Sequence, residues 1–193
     1  MDLDAQGNAS TGLGVPKDER GKSTYDLFTG KASLEDVVKE TNIPSLFIAP
    51  ASTDLSSIDV DLYEEKRRVV KLRDWFAKEK LDFDYILIDC PPSLNLLTIN
   101  SMVASNSVLV PLQAEFFALE GLSQLLLTVR DIRSKINQDL KIHGIVLTMF
   151  DKRNNLSEQI EDDVRGNLGE LVYDTVIPRN VRLSEAPSFS MPA

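Results

Sequence analysis

The sequence has little of what marks secreted, membrane-spanning or generally nucleic-acid-coating proteins. Cys90 is the only cysteine among 193 residues, which excludes an internal disulfide and indicates a reducing compartment. No apolar run approaches the roughly 20 residues of a membrane span, and the first residues do not resemble a signal peptide. The net charge of −9 argues against a generally basic surface, although a local basic patch is compatible with it. Cysteine and histidine show no metal-ligand spacing, so Cys90 and His143 are expected to be structural.

The composition and the order of the apolar segments predict a globular α/β protein. An apolar content of 42% is ordinary for such a chain, and 193 residues suit one domain with a full core. Strands are predicted at residues 46–49, 84–89, 107–110, 142–150 and 172–177. Helices are predicted at residues 23–28, 32–38, 63–80, 93–104, 119–136 and 157–168, and an irregular loop at 178–187. Short strands that alternate with helices predict a single-domain, doubly wound, mostly parallel sheet.

The stretch from Asp84 to Ser93 reads D-Y-I-L-I-D-C-P-P-S. Residues 85–88 are apolar without alternation, which predicts a strand buried on both faces of a parallel sheet. The strand ends at Asp89, because the two prolines that follow cannot continue a ladder. Ligands bind at this end of parallel strands, and an acid there commonly holds Mg²⁺ beside a nucleotide phosphate. The ten residues alone leave open that Asp89 only caps the next turn.

Two further segments are rich in loop and phosphate-binding residue types. Residues 2–14 read D-L-D-A-Q-G-N-A-S-T-G-L-G, which predicts a loop and leads us to expect a strand before Asp2 that is not part of this sequence. Residues 21–24, G-K-S-T, resemble the end of a P-loop, but Pro16 stands where that motif needs glycine. Ser23 or Thr24 as the N-cap of a short helix explains this segment better.

Five segments, in order and spacing, resemble the ParA/Soj family of chromosome- and plasmid-partitioning ATPases, relatives of MinD. They are residues 2–14, 85–94 (Y-I-L-I-D-C-P-P-S-L), 117–122 (F-A-L-E-G-L), 147–156 (L-T-M-F-D-K-R-N-N-L) and 177–188 (I-P-R-N-V-R-L-S-E-A-P-S). The resemblance runs through nearly the whole chain and implies a P-loop NTPase fold in one domain, residues 1–193.

The resemblance also marks what this sequence does not contain. The family begins with a strand and a deviant Walker A loop, K-G-G-V-G-K-T, and it usually reads S-F-G-K-P where this chain has S-F-S-M-P. We therefore expect a fragment without the first strand, the P-loop and the first helix, and short at its C-terminus. As written, the chain is expected to show no measurable MgATP binding or turnover, because backbone donors and lysines of that loop carry most phosphate contacts.

The resemblance assigns ATP and Mg²⁺ as cofactors and gives roles to three acids. Asp89 corresponds to the Walker B acid, which reaches Mg²⁺ through a water. Asp4 corresponds to the acid that positions the attacking water, a task that suits a carboxylate of ordinary pKa. Asp2 corresponds to an acid that faces the P-loop and the metal.

The resemblance assigns the remaining site residues to loops. Gly7 and Asn8 correspond to the switch I turn within residues 2–14, and Pro91, Pro92 and Ser93 correspond to switch II. In the family, both switches become ordered around the γ-phosphate. The loops that enclose the adenine correspond to residues 148–151 and to Pro178 and Arg179.

Arg153 and Arg182 correspond to arginines that bind DNA in the family, and such phosphate contacts make binding salt-dependent. Taken alone, either could be a solvated loop cation or a partner of Asp151 or Glu185.

The resemblance implies a cytoplasmic, nucleoid-associated bacterial protein with no stable membrane binding. It would form an ATP-dependent homodimer, bind DNA without sequence preference and hydrolyse ATP with a ParB-like partner. The alternatives are a non-enzymatic DNA-binding or interaction module without nucleotide, and a MinD-like positioning ATPase. MinD proteins use a C-terminal amphipathic helix, whereas residues 178–187 favour ParA.

Overall fold

A computed structural model describes residues 1–79, 82–115 and 118–190 of the chain. It divides into two compact units, one of residues 1–104 together with the chain from Arg182 onwards, and one of Ser105–Val181. Both contain helices and strands, in agreement with the predicted α/β class. In the described part of the chain, no helix combines the length and the apolar composition that a membrane span needs.

The helices are α1 Asn8–Gly12, α2 Thr24–Thr29, α3 Leu34–Val37, α4 Ile58–Asp61, α5 Lys71–Phe76, α6 Leu96–Ala104, α7 Ala118–Lys135, α8 Asn155–Leu168 and α9 Val181–Glu185. The strands are β1 Lys39–Glu40, β2 Phe47–Ile48, β3 Ser107–Gln113 and β4 Lys141–Thr148. Turns of 3₁₀ helix lie at Lys17–Glu19, Thr53–Ser57, Arg68–Val70, Gly169–Leu171 and Ala186–Phe189.

Capping boxes start the two short helices that the sequence predicts in the first unit. Ser23 precedes α2 and Ser33 precedes α3, and in each case the aspartate three residues later accepts from the serine backbone N–H. The two helices therefore begin where the sequence places them. The segment 21–24 is a helix start, as the sequence analysis concluded, and not a phosphate loop.

The prediction of one long helix over residues 63–80 is wrong, because a buried asparagine interrupts the helix. The Asn100 side chain donates to the Arg68 carbonyl at 2.8 Å and accepts from the Leu72 N–H at 3.2 Å. In a continuous helix these two backbone groups would bond to each other, so Asn100 takes the place of that bond. A 3₁₀ turn and the short α5 result, and residue 80 lies outside the described residues.

The prediction that residues 85–88 form a strand buried on both faces is wrong in this structure. Tyr85 is 88% exposed and Leu87 is 80% exposed. The segment is paired only near its end, where Met1–Leu3 lies parallel to it through a bridge between Asp2 and Asp89. A strand is buried only where strands flank both its edges and helices cover both its faces, and the described residues supply neither along Tyr85–Leu87.

The second unit is built on the parallel pair β3 and β4, which confirms the two strands predicted there. Their register runs from Ser107 opposite Lys141 to Gln113 opposite Thr148. Helices α7 and α8 pack on this pair through Leu122, Ile160 and Val164. The N-cap of α8 is Asn154, whose side chain accepts from the Leu156 N–H, and not Ser157 as the sequence suggested.

The strand predicted over residues 172–177 is reduced to isolated bridges beside β4. Tyr173 N–H donates to the Ile145 carbonyl and Ile177 N–H to the Leu147 carbonyl, at 2.9 and 2.8 Å. Four residues of this segment thus pass two residues of β4, which no regular ladder permits. The ring of Tyr173 occupies the space of a Cβ at Gly144, which explains the glycine within β4.

The irregular loop predicted over residues 178–187 is instead partly helical, as α9 and the 3₁₀ turn that follows. No proline or glycine lies between residues 180 and 186, so a helical turn is permitted there. Within the first unit this turn approaches α1, since a Cβ on Gly12 would lie 3.5 Å from Cβ of Pro187.

Candidate functional site

Two strand ends bring the predicted acids together in the first unit. Leu3 N–H donates to the Asp89 carbonyl and Asp89 N–H to the Met1 carbonyl, both at 2.9 Å. On its other side, Asp2 N–H donates to the Ala49 carbonyl at 3.0 Å, directly after β2. Parallel strands carry their carboxyl ends to one edge, so Asp4 and Asp89 follow adjacent strands at the same edge.

Asp2 is completely buried and is the anchor of the loop that follows it. One carboxylate oxygen accepts from the Asp4 N–H at 3.1 Å, and the other accepts from Ser10 N–H and Oγ at 2.9 and 2.6 Å. Ser10 Oγ in turn accepts from Ala51 N–H at 3.0 Å. Charge-assisted hydrogen bonds of this kind stabilise a buried carboxylate.

Asp4 and Asp89 have the more accessible carboxylates. The Asp4 carboxylate accepts from Gln6 N–H at 3.0 Å, and its carbonyl accepts from Gly7 N–H at 2.8 Å. Asp89 is exposed as a residue, but its carboxyl group is partly buried. This burial, followed by the negative charges of Asp2 and Asp4, raises the pKa of Asp89. A cation at this edge would relieve that repulsion.

The acids fit Mg²⁺ by the chemistry of their donors. Mg²⁺ takes oxygen ligands, usually keeps several waters and is held by one or two carboxylates with substrate phosphates. In the described residues no three metal-binding side chains converge on one point, so the protein would supply few ligands of its own. Asp89 is the residue that could hold the ion, and Asp2 has its oxygens occupied by hydrogen bonds.

The predicted switch residues lie directly beside these acids in the chain. Gly7 has a φ of +65° and is the N-cap of α1, and Asn8 is exposed as its first residue. After Asp89, the Ser93 carbonyl accepts from Thr98 Oγ1 at 2.6 Å, which ties the Pro91–Ser93 turn to the start of α6. Pro92 and Ser93 are exposed.

In the second unit, a separate cavity of about 310 Å³ lies at the end of β4. Its lining residues are Ala114, Glu115, Met149, Asp151, Asn154, Ser157 and Arg179. Arg179 approaches Glu115 at 3.8 Å, and its N–H donates to the Phe150 carbonyl at 3.0 Å. Pro178 forms a parallel bridge with Phe150. Three of the residues assigned to the adenine loops, Met149, Asp151 and Arg179, therefore line one cavity.

The two arginines assigned to DNA differ in their surroundings. Arg153 is exposed and holds Asp151 with two hydrogen bonds, from Nε at 3.0 Å and Nη2 at 2.8 Å. This side-chain pairing, with a further bond from the Arg153 backbone, lowers the pKa of Asp151 to about 2. Arg182 lies on the exposed α9. Arg153 is thus the partner of Asp151, one of the two alternatives that the sequence left open.

Sequence reasoning missed Arg20, which is 3% exposed. In the sequence it stands within the charged run K-D-E-R-G-K, where nothing distinguishes it from a solvated cation. It also missed Glu115, Asn154 and Ser157 in the cavity of the second unit. Cys90 has its pKa raised, first by burial, which agrees with an inert structural thiol. His143 packs edge-on to Tyr173, a structural contact.

The chain is similar to known proteins along its whole length. A family model described as AAA domain matches residues 1–142. The chromosome partitioning protein ParA of Caulobacter vibrioides is 50% identical over 194 residues, which span 100% of this chain and 73% of that protein. The sporulation initiation inhibitor protein Soj of Bacillus subtilis is 47% identical over 192 residues, 100% of this chain and 76% of that protein.

Among solved structures, cobyrinic acid a,c-diamide synthase from Mycobacterium smegmatis, with bound ADP and magnesium, is similar at a TM-score of 0.85. It is 34% identical, and the match covers 98% of this chain and 78% of that one.

Proposed function

The chain belongs to the ParA/Soj family of chromosome- and plasmid-partitioning ATPases, and from this premise we propose roles for its residues. ATP and Mg²⁺ bind at the edge where Asp2, Asp4 and Asp89 follow paired parallel strands. The observation that carries the proposal is the bridge between Asp2 and Asp89, which places two acidic strand ends side by side. Phosphoryl transfer depends on positioning and charge stabilisation, and both are properties of such an edge.

Each acid has a distinct task in this proposal. Asp4 accepts a hydrogen bond from the attacking water and orients it, since its half-buried carboxylate lies at the edge where the strands end. Asp89 is the residue that would hold Mg²⁺. When bound, the ion supplies charge neutralisation to the phosphates. Asp2 keeps the loop after it in place through Ser10.

The cavity at the end of β4 receives the adenine. Its lining combines Met149 with polar groups from Asn154 and Ser157, a mixture that suits a flat heteroaromatic ring with hydrogen-bonding edges. Arg179 lines one side of it, next to Pro178 in the chain. The assignment is supported by the hydrogen bond that holds the Arg179 backbone to Phe150.

The complete cycle includes DNA and protein partners. ATP closes a homodimer, the dimer binds nucleoid DNA without sequence preference through Arg153 and Arg182, and a ParB-like protein stimulates hydrolysis. Family membership supports these steps, and both arginines are exposed cations on a chain of net charge −9.

The nucleotide role is tested with the full-length gene product. Asp89→Asn should weaken Mg²⁺-dependent ATP binding in calorimetry by about tenfold, because one charge that faces the ion is lost. Asp162→Asn, an exposed position on α8, is the control. Equal MgATP affinity in both variants would remove Asp89 from the metal site.

The DNA role is tested separately. Arg182→Ala should weaken DNA retention, reduce the salt slope of binding by about one and leave ATP turnover intact. Binding to DNA that keeps its wild-type salt dependence would remove Arg182 from the interface.

A further inference from the structure

Arg20 is a buried cation with neutral hydrogen-bond partners. Its Nε donates to the Val15 carbonyl at 3.3 Å and Nη1 to the Ala51 carbonyl at 3.1 Å. Its Nη2 donates to the Gly7 carbonyl and to Thr11 Oγ1, both at 2.9 Å. Burying an arginine is costly unless its donors are used, and here a single fork joins three separate backbone segments.

These segments adjoin the turn that carries Asp4, the candidate catalytic acid. Gly7 and Val15 stand at the two ends of the loop that follows this turn and contains α1, and Ala51 is the residue that Ser10 Oγ also holds. The loop is therefore attached to Ala51 twice, once by Ser10 and once by Arg20. Neither attachment involves a residue of the cavity in the second unit.

Gly7 fits against the guanidinium without space for a side chain. Its φ of +65° is a conformation that glycine adopts readily, and a Cβ there would overlap Nη1 of Arg20. The Gly7 peptide also faces Asp4, since its N–H donates to the Asp4 carbonyl at 2.8 Å. Gly7 thus transmits the position of Arg20 to the turn that carries Asp4.

We propose that Arg20 is a positioning residue: by fixing the Gly7 carbonyl it orients the turn that holds the Asp4 carboxylate. The inference rests on the proposed function, in which Asp4 orients the attacking water. A lysine cannot replace it, because its donors radiate from one atom and cannot span acceptors on Gly7, Val15 and Ala51.

The contact between Arg20 and Gly7 is tested by a double-mutant cycle on the full-length gene product. Gly7→Ala displaces the guanidinium in the wild-type background, whereas with Arg20→Ala only the backbone strain remains. We expect Gly7→Ala to lower the folding equilibrium constant about tenfold more in the first background than in the second. If the effects of the two substitutions on denaturant unfolding are additive, Arg20 and Gly7 are not coupled and the proposal is overturned.

The positioning role is tested with Arg20→Lys, and Arg133→Lys on the exposed face of α7 is the matched control. Amide exchange at Gly7 should become about tenfold faster while exchange in β4 stays unchanged. In the same variant kcat per folded protein should fall about tenfold, with KM for ATP within roughly twofold. If Arg20→Lys does not fold, Thr11→Val removes one acceptor and should give a smaller change of the same kind.

Two results separate the inference from the function on which it rests. An unchanged kcat in a variant whose Gly7 amide exchanges faster would overturn the positioning role. A wild-type full-length gene product without ATP turnover would contradict the proposed function, and the cycle and the exchange at Gly7 would still decide whether Arg20 fixes this turn.

Discussion

Arg20 in the first unit and Arg153 in the second carry the same group in opposite surroundings. Arg20 is buried and bonded to three carbonyls and a hydroxyl, whereas the Arg153 side chain is 89% exposed and bonded to the Asp151 carboxylate. The acceptors of Arg20 are backbone carbonyls and a hydroxyl that stay in place as long as the first unit is folded. The second holds a carboxylate that a phosphate could replace.

The acids show the same contrast. Asp2 is buried with neutral donors from Asp4 and Ser10, and Asp151 is bound by one cation at the surface. Buried charges satisfied by dipoles stay fixed, while exposed ion pairs contribute little to stability and exchange readily. The surroundings of Asp2 and Arg20 thus have the character of a rigid support, and the pair of Asp151 and Arg153 that of an exchangeable surface contact.

The largest effect is expected at Asp2. Asp2→Ala leaves the Ser10 and Asp4 donors without an acceptor in a buried place and should lower the free energy of unfolding by about 3 kcal/mol. Urea unfolding measures it. Asp139→Ala, at an exposed position of the second unit, is the control, and a loss as small as that of the control would mean that the bonds to Asp2 do not form a rigid support.

An intermediate effect is expected at Ser10. Ser10→Ala removes the hydroxyl that donates to Asp2 and accepts from Ala51, and should cost about 1.5 kcal/mol of unfolding free energy. The Ser10 N–H still reaches Asp2, so the loss is smaller than for Asp2→Ala. Ser123→Ala on the exposed face of α7 is the matched control, and equal midpoints for the two variants would contradict the rigid support.

The smallest effect on stability is expected at Arg153. Arg153→Ala should lower the free energy of unfolding at neutral pH only slightly, as should the control Lys135→Ala, because both ion pairs are exposed, while the pKa of Asp151 rises from about 2 towards its ordinary 3.8. A lowered pKa in the folded state stabilises above the ordinary value and is lost as the pH falls from about 4 to about 2, so the variant should lose less stability over that interval.

Carboxyl carbon NMR titration of Asp151 measures this change directly. A pKa that stays near 2 without Arg153 would show that backbone donors, and not the exchangeable cation, hold the carboxylate.

Short capped helices and the parallel strands of the second unit could be predicted, because Ser23, Ser33 and the apolar run of β3 act through neighbours in sequence. The structure brings Asp2, Asp4 and Asp89 to one edge of paired strands, while the roles that the resemblance assigns to them stay predictions. The break of the helix after Arg68 could not be predicted, since it depends on Asn100, some thirty residues away. The burial of Arg20 could not be predicted for the same reason, because its acceptor on Ala51 is distant in sequence.

The burial of residues 85–88 was wrongly predicted. An apolar run indicates that a strand would be stable when buried, but it does not show which elements lie around that strand. Likewise the segment after Val172 has strand-like residues, but its offset against β4 is set by the partner and cannot be read from the segment itself.

The exposed stretch of Tyr85 and Leu87 has a consequence for handling the protein in concentrated solution. Apolar side chains on a sheet edge are a template for pairing with a strand of another molecule, and they lead to aggregation. Asp84 and Asp89 flank the stretch as charged gatekeepers, so repulsion between molecules opposes that pairing at neutral pH and weakens as the carboxylates are protonated in acid. The protein should therefore tolerate concentration best in neutral, low-salt buffer.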